Sequence, residues 1–436
     1  MLRTMSRVAM DYTAFLSKTA RARKPSALRE LFDGIGIDET YVLMAGGLPN
    51  PKVFPITDMS ITFGDGTVSK ISQNDLMEGL QYGITTGHPE ILQFIKDITK
   101  RLHDPPRMGD PSHPGATEVL LTSGSNDGIY KSVEILLGEG DVVLTEEYVY
   151  PNLVAVTQPI GCDVKAIRMD KDGIIPECLA AELSKWPKPV DGKPSLGRLK
   201  ALYCVPNGDN PTGVRYTNER KREIYRLAQE YNFIIIEDDA YFYLEEKPFN
   251  ESFLSMDVDG RVIRLETFSK TIAPGLRLGF ALAPKPFFNQ LRYVSQASTQ
   301  GSSNVSQMLV RELFRKWGVD GYIKHCEEVN NFYSKRRIVC ERIARKHLNG
   351  MAEWESPTGG MFLWMKFKGV TDTLKLVMER LLKRKVLIVT GAAFSADVTR
   401  PTPYVRISYS KVSEEDMEKG FAIIAEELRA LQNEQN

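Results

Sequence analysis

The sequence predicts an α/β domain with a mostly parallel sheet, followed by a smaller α+β domain. Three observations carry that reading. Short, fully apolar runs alternate with helix-patterned stretches, several of those runs end in polar turn-forming clusters, and the C-terminal part changes to alternating strands with one amphipathic helix. In order, VLLT (119–122) precedes the amphipathic stretch 129–137, and DVVLT (141–145) and VKAIRM (164–169) follow. LKALYCV (199–205) leads into a turn-rich segment and a helix-patterned stretch at 217–231. FIIIEDD (233–239), VIRLETF (262–268) and RLGFALA (277–283) complete the set. Strands this apolar are covered on both faces, and the helices between them imply right-handed crossovers. The charged stretch 321–348 reads as helix. Beyond it MFLWMKF, VLIVTG and YVRISYS read as strands, and 414–432 as an amphipathic helix. The expected division is an N-terminal arm with one helix over 1–54, a large domain over 55–325 and a small domain over 326–436.

A chain of 436 residues is too long for one compact core, which supports that division. Lys and Arg together number 56, as do Asp and Glu, so no basic excess exists to neutralise nucleic-acid phosphates. Cys162, Cys178, Cys204, Cys326 and Cys340 show no CxxC spacing, and with only five His a metal site is not expected. Dispersed cysteines of odd number read as reduced thiols in an intracellular compartment. No apolar run approaches the roughly 20 residues of a membrane span. The start, MLRTMSRVAM, is basic, hydroxyl-bearing and acid-free. It is compatible with a mitochondrial transit sequence or with an ordinary N-terminus, and too polar for a secretory signal. The cytoplasm is the expected compartment ahead of the mitochondrion.

In open α/β sheets ligands bind beyond the carboxyl ends of the strands. Four polar groups sit at such ends, and a fifth lies within a strand. Ser123-Gly124-Ser125-Asn126 opens a helix, where free N–H groups and hydroxyls suit a phosphate, although Ser is also an ordinary N-cap. Asn207 to Gly213 follows a buried strand; Asn210 can offer its amide to a phenolate oxygen, or the segment is simply a turn. Asp238 and Tyr241 follow FIII, where a buried carboxylate needs a partner such as a cationic ring nitrogen. Ser269 and Lys270 close VIRLETF: the amine can act as a nucleophile, and Ser269 with Arg277 can hold phosphate. Arg406 stands alone in an alternating strand, where its planar fork suits a carboxylate if it faces inward.

Each group alone has a bland alternative; their order and spacing do not. Asn210 precedes Asp238 by 28 residues, Asp238 precedes Lys270 by 32, and Lys270 precedes Arg277 by 7. With NPTG, D-x-x-Y, S-x-K and a late Arg in that order, the chain resembles the fold-type I, aspartate-aminotransferase-like enzymes that use pyridoxal 5′-phosphate (PLP). The resemblance covers nearly the whole chain. Met44 to Pro51 (MAGGLPNP), Leu80 to Gly83 (LQYG), PNGDNPTG, IIEDDAYF, FLSMDVDGRVIR and GGMFLW are similar to the kynurenine/α-aminoadipate aminotransferases, a subgroup that includes fungal aromatic and aminoadipate aminotransferases.

That resemblance implies a seven-stranded, mostly parallel sheet in the large domain, and an arm that joins the small domain in covering the active site. It implies that Lys270 holds PLP covalently, that Asp238 pairs with the ring nitrogen, and that Asn210 and Tyr241 bond the ring 3-oxygen. It makes Tyr150 the stacking residue and Ser125, Asn126, Ser269 and Arg277 the phosphate ligands. Tyr82 matches a tyrosine given to the neighbouring subunit's phosphate, which implies a homodimer with shared active sites. Gly47, Asn210 and Arg406 match the clamp on the substrate α-carboxylate, and Arg29 matches an arm residue that meets the substrate side chain. Three positions depart from the pattern. Asp127 stands beside the phosphate ligands and must point away from them, Tyr148 replaces a usual Pro and competes with Tyr150 for the stacking role, and Ala240 replaces a common Pro.

The activity implied is transfer of an amino group from an aromatic amino acid, kynurenine or 2-aminoadipate to a 2-oxo acid, 2-oxoglutarate expected, with ping-pong kinetics. One rival is another PLP reaction, a β-elimination, decarboxylation or ring closure. It would release pyruvate or ammonia without an oxo-acid acceptor. The other is a PLP-binding regulator, which needs an N-terminal DNA-binding module that the residues before MAGGLPNP are too few to form.

Overall fold

The computed structural model describes residues 10–34, 40, 42, 44–45, 47–397 and 399–435. The start MLRTMSRVA and Gly46 of the MAGGLPNP motif lie outside the described residues.

Seven strands form the main sheet: β1 (Thr117–Thr122), β2 (Val142–Glu146), β3 (Asp163–Ile167), β4 (Leu199–Cys204), β5 (Ile234–Asp238), β6 (Val262–Thr267) and β7 (Gly279–Pro284). Their order is β1-β7-β6-β5-β4-β2-β3. The pairs β3–β2, β2–β4 and β4–β5 are parallel, as strands linked by helical crossovers must be. Strand β7 runs antiparallel to both β6 and β1. Only a loop and a short 3₁₀ turn separate it from β6, too little chain for a parallel crossover. Every residue of β2, β4, β5, β6 and β7 is buried, including Lys200 on β4 and Arg264 and Glu266 on β6, where Arg264 Nε donates to Glu266 Oε1 at 2.7 Å.

The chain divides into two compact units. The first comprises Met1–Gly138, Asp191–Lys193 and Ser252–His325, and holds β1, β6 and β7. The second comprises Glu139–Val190, Pro194–Glu251 and Cys326–Asn436, and holds β2 to β5. In the first unit, helices α1 (Ala27–Gly34), α2 (Ser125–Leu136) and α4 (Lys285–Ala297) accompany the strands. In the second, α3 (Asn218–Tyr231) starts at Thr217, whose hydroxyl accepts from the Arg220 N–H in the expected N-cap manner. The helix expected at 321–348 is the second part of α5 (Asn304–Leu348), which breaks at Gly318, where φ is 59°.

The second unit also carries a four-stranded sheet of β8 (Ala352–Glu353), β9 (Phe362–Phe367), β10 (Val389–Thr390) and β11 (Tyr404–Ser408), in the order β8-β9-β11-β10. Its core joins Leu363, Met365, Val405 and Ile407 to Phe421, Ile424 and Leu428 of helix α6 (Glu414–Gln435). VLIVTG was expected as one strand, and only Val389–Thr390 pairs. Residues 382–385 form a turn immediately before it, leaving Val386 to Ile388 outside the ladder.

Candidate active site

Each unit carries its own group of the expected site residues. In the first, the groups lie at the ends of β1 and β6. Gly124 takes φ +85° between β1 and α2, so Ser125 and Asn126 are the first residues of a 12-residue helix whose N-terminus no side chain caps. Uncapped N–H groups and the positive end of the helix dipole make that terminus attractive to an anion. Arg277 lies against it: Nη2 donates to the Ser123 carbonyl at 3.1 Å, and Nη1 lies 3.5 Å from Ser269 Oγ. A Cβ on Gly124 would come within 2.6 Å of Arg277 Nη2, so only Gly admits the guanidinium this close. Thr267 Oγ1 donates to Ser269 Oγ at 2.8 Å and fixes that hydroxyl. Asp127 is turned away, accepting from the Ser123 N–H at 2.9 Å and from buried Lys131 at 2.7 Å. Lys270 follows Ser269 directly beyond β6 and is half-buried. The donors at this terminus are an uncapped helix start, two serine hydroxyls and an arginine, a set that fits a phosphate dianion.

A second group in the first unit lines a cleft of about 420 Å³ that contains Arg29, Gly47 and Tyr82. Tyr82 is 61% exposed, with the Arg29 guanidinium 5.6 Å from its ring centre. Arg29 Nη1 also donates to the Gly83 carbonyl at 3.3 Å. Nothing lies within 4 Å of where a Gly47 side chain would start.

In the second unit, the buried carboxylate of Asp238 ends β5. Tyr203 on the adjacent strand β4 donates its hydroxyl to Asp238 Oδ2 at 2.6 Å. Sequence reasoning missed Tyr203, because a tyrosine inside LKALYCV is indistinguishable from an apolar core residue. Burial raises its phenol well above the usual range, and the Asp238 charge adds to that, so the proton stays on the oxygen. Asn207 Nδ2 spans both oxygens of Asp239, at 3.0 and 2.9 Å. This leaves Asp238, rather than its neighbour, as the carboxylate paired with a tyrosine.

Arg406 does not point to solvent. It lies on β11 opposite Trp364, half-buried, with its guanidinium 4.2 Å from the Phe362 ring centre and 4.8 Å from that of Phe394. Nη1 donates to Asn210 Oδ1 at 2.7 Å, and Nε is buried with no hydrogen-bond partner among the described residues. Burial pushes the guanidinium below its usual range, with the phenols of Tyr241 and Tyr150 offsetting part of the shift. Two rings hold the fork in place, and a carboxylate is the group its geometry and charge fit. Tyr241 is buried, with its ring edge against Phe362 at 5.9 Å. Burial raises its phenol, and Asp238 and Tyr150 add to the rise.

Tyr148 packs on Trp364 at 4.9 Å and Tyr404 at 5.4 Å, and its hydroxyl lies 3.4 Å from Thr402 Oγ1. Tyr150, at the start of the helix Pro151–Thr157, lies near enough to Arg406 and Tyr241 for its charge to bear on both. Two further acids went unnoticed in the sequence. Glu146, at the end of β2, is fully buried and accepts from the Val205 N–H at 3.1 Å and from Tyr216 at 2.7 Å. Asp209 is fully buried with its Oδ2 bonded by Thr212, and burial pushes its carboxyl up to about 7.

A mostly parallel seven-stranded sheet is the architecture of a fold-type I PLP enzyme. The family model for aminotransferases of class I and II matches residues 67–424. Over 423 residues the chain is 40% identical to a mitochondrial kynurenine/alpha-aminoadipate aminotransferase of Mus musculus, covering 96% of this chain and 99% of that protein. The crystal structure of the aminotransferase Aro8 from Candida albicans superposes with a TM-score of 0.84 at 27% identity, covering 97% of this chain and 98% of that one. A kynurenine aminotransferase of Pyrococcus horikoshii, solved with PMP, superposes with a TM-score of 0.74 at 27% identity and the same coverage. The chain belongs to the class I and II aminotransferases, and is a PLP-dependent transaminase. Neither rival activity is favoured by these likenesses.

Proposed function

We propose that this transaminase takes the amino group from kynurenine, 2-aminoadipate or an aromatic amino acid and gives it to 2-oxoglutarate by a ping-pong mechanism. The observation that carries the reading is Arg406. It is stacked between Phe362 and Phe394 and bonded to Asn210, a fixed receptor for the α-carboxylate that every amino acid shares. The 40% identity to a kynurenine/alpha-aminoadipate aminotransferase supports the donor class.

PLP, when bound, supplies the electron sink for breaking the substrate Cα–H bond. The uncapped start of α2, with Ser125, Asn126, Ser269 and Arg277, binds its phosphate. Tyr150 would stack on the ring, and Asn210 and Tyr241 would donate to its 3-oxygen. Asp238 would keep the ring nitrogen protonated, with the Tyr203 hydroxyl holding that carboxylate in one orientation. Lys270 would hold the cofactor through Nζ, and its amine would serve as the base for the substrate Cα proton. Arg406, Asn210 and the backbone at Gly47 would hold and orient the substrate α-carboxylate. Positioning of this kind contributes on the order of several kcal/mol to the barrier. Arg29 meets the substrate side chain: its charge receives the distal carboxylate of 2-aminoadipate, and swung aside it admits an aromatic ring.

The same reading makes the enzyme a homodimer in which Tyr82 serves the neighbouring subunit's phosphate. The exposure of Tyr82 supports this. It keeps an arm over 1–54, a large cofactor-binding domain over 55–325 and a small domain over 326–436, supported by the separate apolar core of residues 340–428. It places the enzyme inside the cell, in the cytoplasm ahead of the mitochondrion, in keeping with five cysteines that form no disulfide. No helix among the described residues is long and apolar enough to cross a membrane. The test is a donor panel with 2-oxoglutarate, comparing kynurenine, 2-aminoadipate, phenylalanine, tryptophan, methionine and leucine. Fastest turnover of the first four supports the reading; a preference for methionine or leucine overturns it.

A further inference from the structure

Arg29 has a second partner. Its Nη2 donates to the amide oxygen of Gln300, on the rim of the cleft that holds Tyr82. Gln300 lies just beyond the end of α4, where its own N–H bonds back to the Ser295 carbonyl at 2.7 Å. Its φ is +62°, a left-handed conformation that costs a side-chain-bearing residue energy and that Gly adopts freely. The side chain is exposed and lies away from the apolar core. An exposed Gln in a conformation that favours Gly is strain without a packing return, and strain of this kind gathers at functional positions.

The rest of the arm helix is held independently. Arg292 Nη1 and Nη2 reach the two oxygens of Glu30 at 2.5 and 3.3 Å, and Gln296 Nε2 donates to Glu30 Oε1 at 2.8 Å. Gln296 Oε1 also accepts from the Ser26 N–H at 3.0 Å. These contacts dock the helix without Gln300, whose side chain, among the described residues, bonds Arg29. Among the described residues, the hydrogen-bond acceptors of Arg29 are Gln300 Oε1 and the Gly83 carbonyl, and both are neutral. The guanidinium thus keeps its charge available for an anionic guest, while Gln300 occupies one arm of its fork.

We propose that Gln300 is a specificity-determining residue, whose amide oxygen fills the part of the Arg29 fork that the distal carboxylate of a dicarboxylic donor must take. A donor such as 2-aminoadipate displaces the amide, exchanging a neutral acceptor for a charged one. An aromatic donor leaves the Gln300–Arg29 bond in place. The balance between the two donor classes is then set by how strongly residue 300 competes for Arg29. This rests on the role of Arg29 proposed above.

The test uses the holoenzyme with Gln300→Glu and Gln300→Gly, measuring kcat and KM for 2-aminoadipate and kynurenine with 2-oxoglutarate, and thermal unfolding. In Gln300→Glu a carboxylate holds Arg29 and repels the distal carboxylate. The ratio of kcat/KM for aminoadipate over kynurenine should fall at least fivefold, through KM. In Gln300→Gly the competitor is gone and the strained φ relaxed. The same ratio should rise at least twofold, with an unfolding temperature no lower than wild type. A purely structural Gln300 would move both donors together. The inference is overturned if the ratio in Gln300→Glu does not fall, or if it falls through kcat. Wild-type enzyme that turns over neither donor overturns the function proposed above and this inference with it; wild-type enzyme active on both, with a ratio indifferent to residue 300, overturns this inference alone.

Discussion

Arg406 and Arg29 are two arginines with opposite surroundings. Arg406 is half-buried on a strand, fixed by two aromatic rings and by Asn210. Arg29 sits on a short helix, touches an exposed tyrosine face and donates to neutral acceptors at a cleft rim. The difference matches what each is proposed to read. The α-carboxylate is the same in every donor, so a rigid cation suits it. The side chain varies, so the cation that meets it must be able to let go.

The strongest way to break this comparison is Arg406→Ala. Losing a half-buried, bonded cation should lower kcat/KM about a hundredfold or more for every donor alike, measured by steady-state kinetics. Unequal losses across the donor panel would mean that Arg406 also reads the side chain. Arg29→Ala should lower kcat/KM about tenfold for 2-aminoadipate, the loss of one charge-assisted contact at an exposed site, and far less for kynurenine or phenylalanine. Unchanged relative rates on glutamate, aminoadipate and phenylalanine would remove Arg29 from specificity.

Arg406 was legible as a lone cation in an alternating strand; what it touches was not. The stacking rings come from Phe362 and Phe394, whose approach depends on tertiary packing. The strands β2 and β5 were easy to read, because their apolar runs are buried along their whole length; in β6 the buried Arg264 and Glu266 alternate with apolar residues, and their ion pair was not legible. The antiparallel direction of β7 was hidden, since an apolar run has no sign of direction. Tyr203 and Glu146 escaped for a related reason. One polar residue within or at the end of an apolar run looks like a core residue or a strand end until its partner is seen. Spacing singled out Asp238 and Lys270 because a bound cofactor would impose order on residues far apart in the chain; among the described residues Tyr203 bonds only Asp238.

A smaller effect is expected from Tyr203→Phe, which removes the hydroxyl from Asp238 Oδ2. Reorientation of the carboxylate should lower kcat about three- to tenfold, in line with one hydrogen bond to a charged group, with the donor KM within twofold. A variant with kcat intact and KM raised would assign Tyr203 to substrate binding instead. The smallest effect concerns pH. The Asp209 carboxyl is pushed up to about 7 by burial, from an ordinary value near 4. Between those values the folded state holds a proton that the unfolded state has lost, so stability falls as pH rises through that window and levels off above it. Asp209→Asn should flatten this part of the profile of unfolding temperature against pH. A profile equally steep in the variant would show that Asp209 carries no such proton.

The central claim is that Lys270 is the anchor on which the other residues act. Purified Lys270→Ala should keep the far-ultraviolet circular dichroism and unfolding temperature of wild type to within a few degrees. It should lose the long-wavelength absorbance of covalently held PLP and all measurable transamination between kynurenine and 2-oxoglutarate. A folded Lys270→Ala protein that still transaminates would contradict the account.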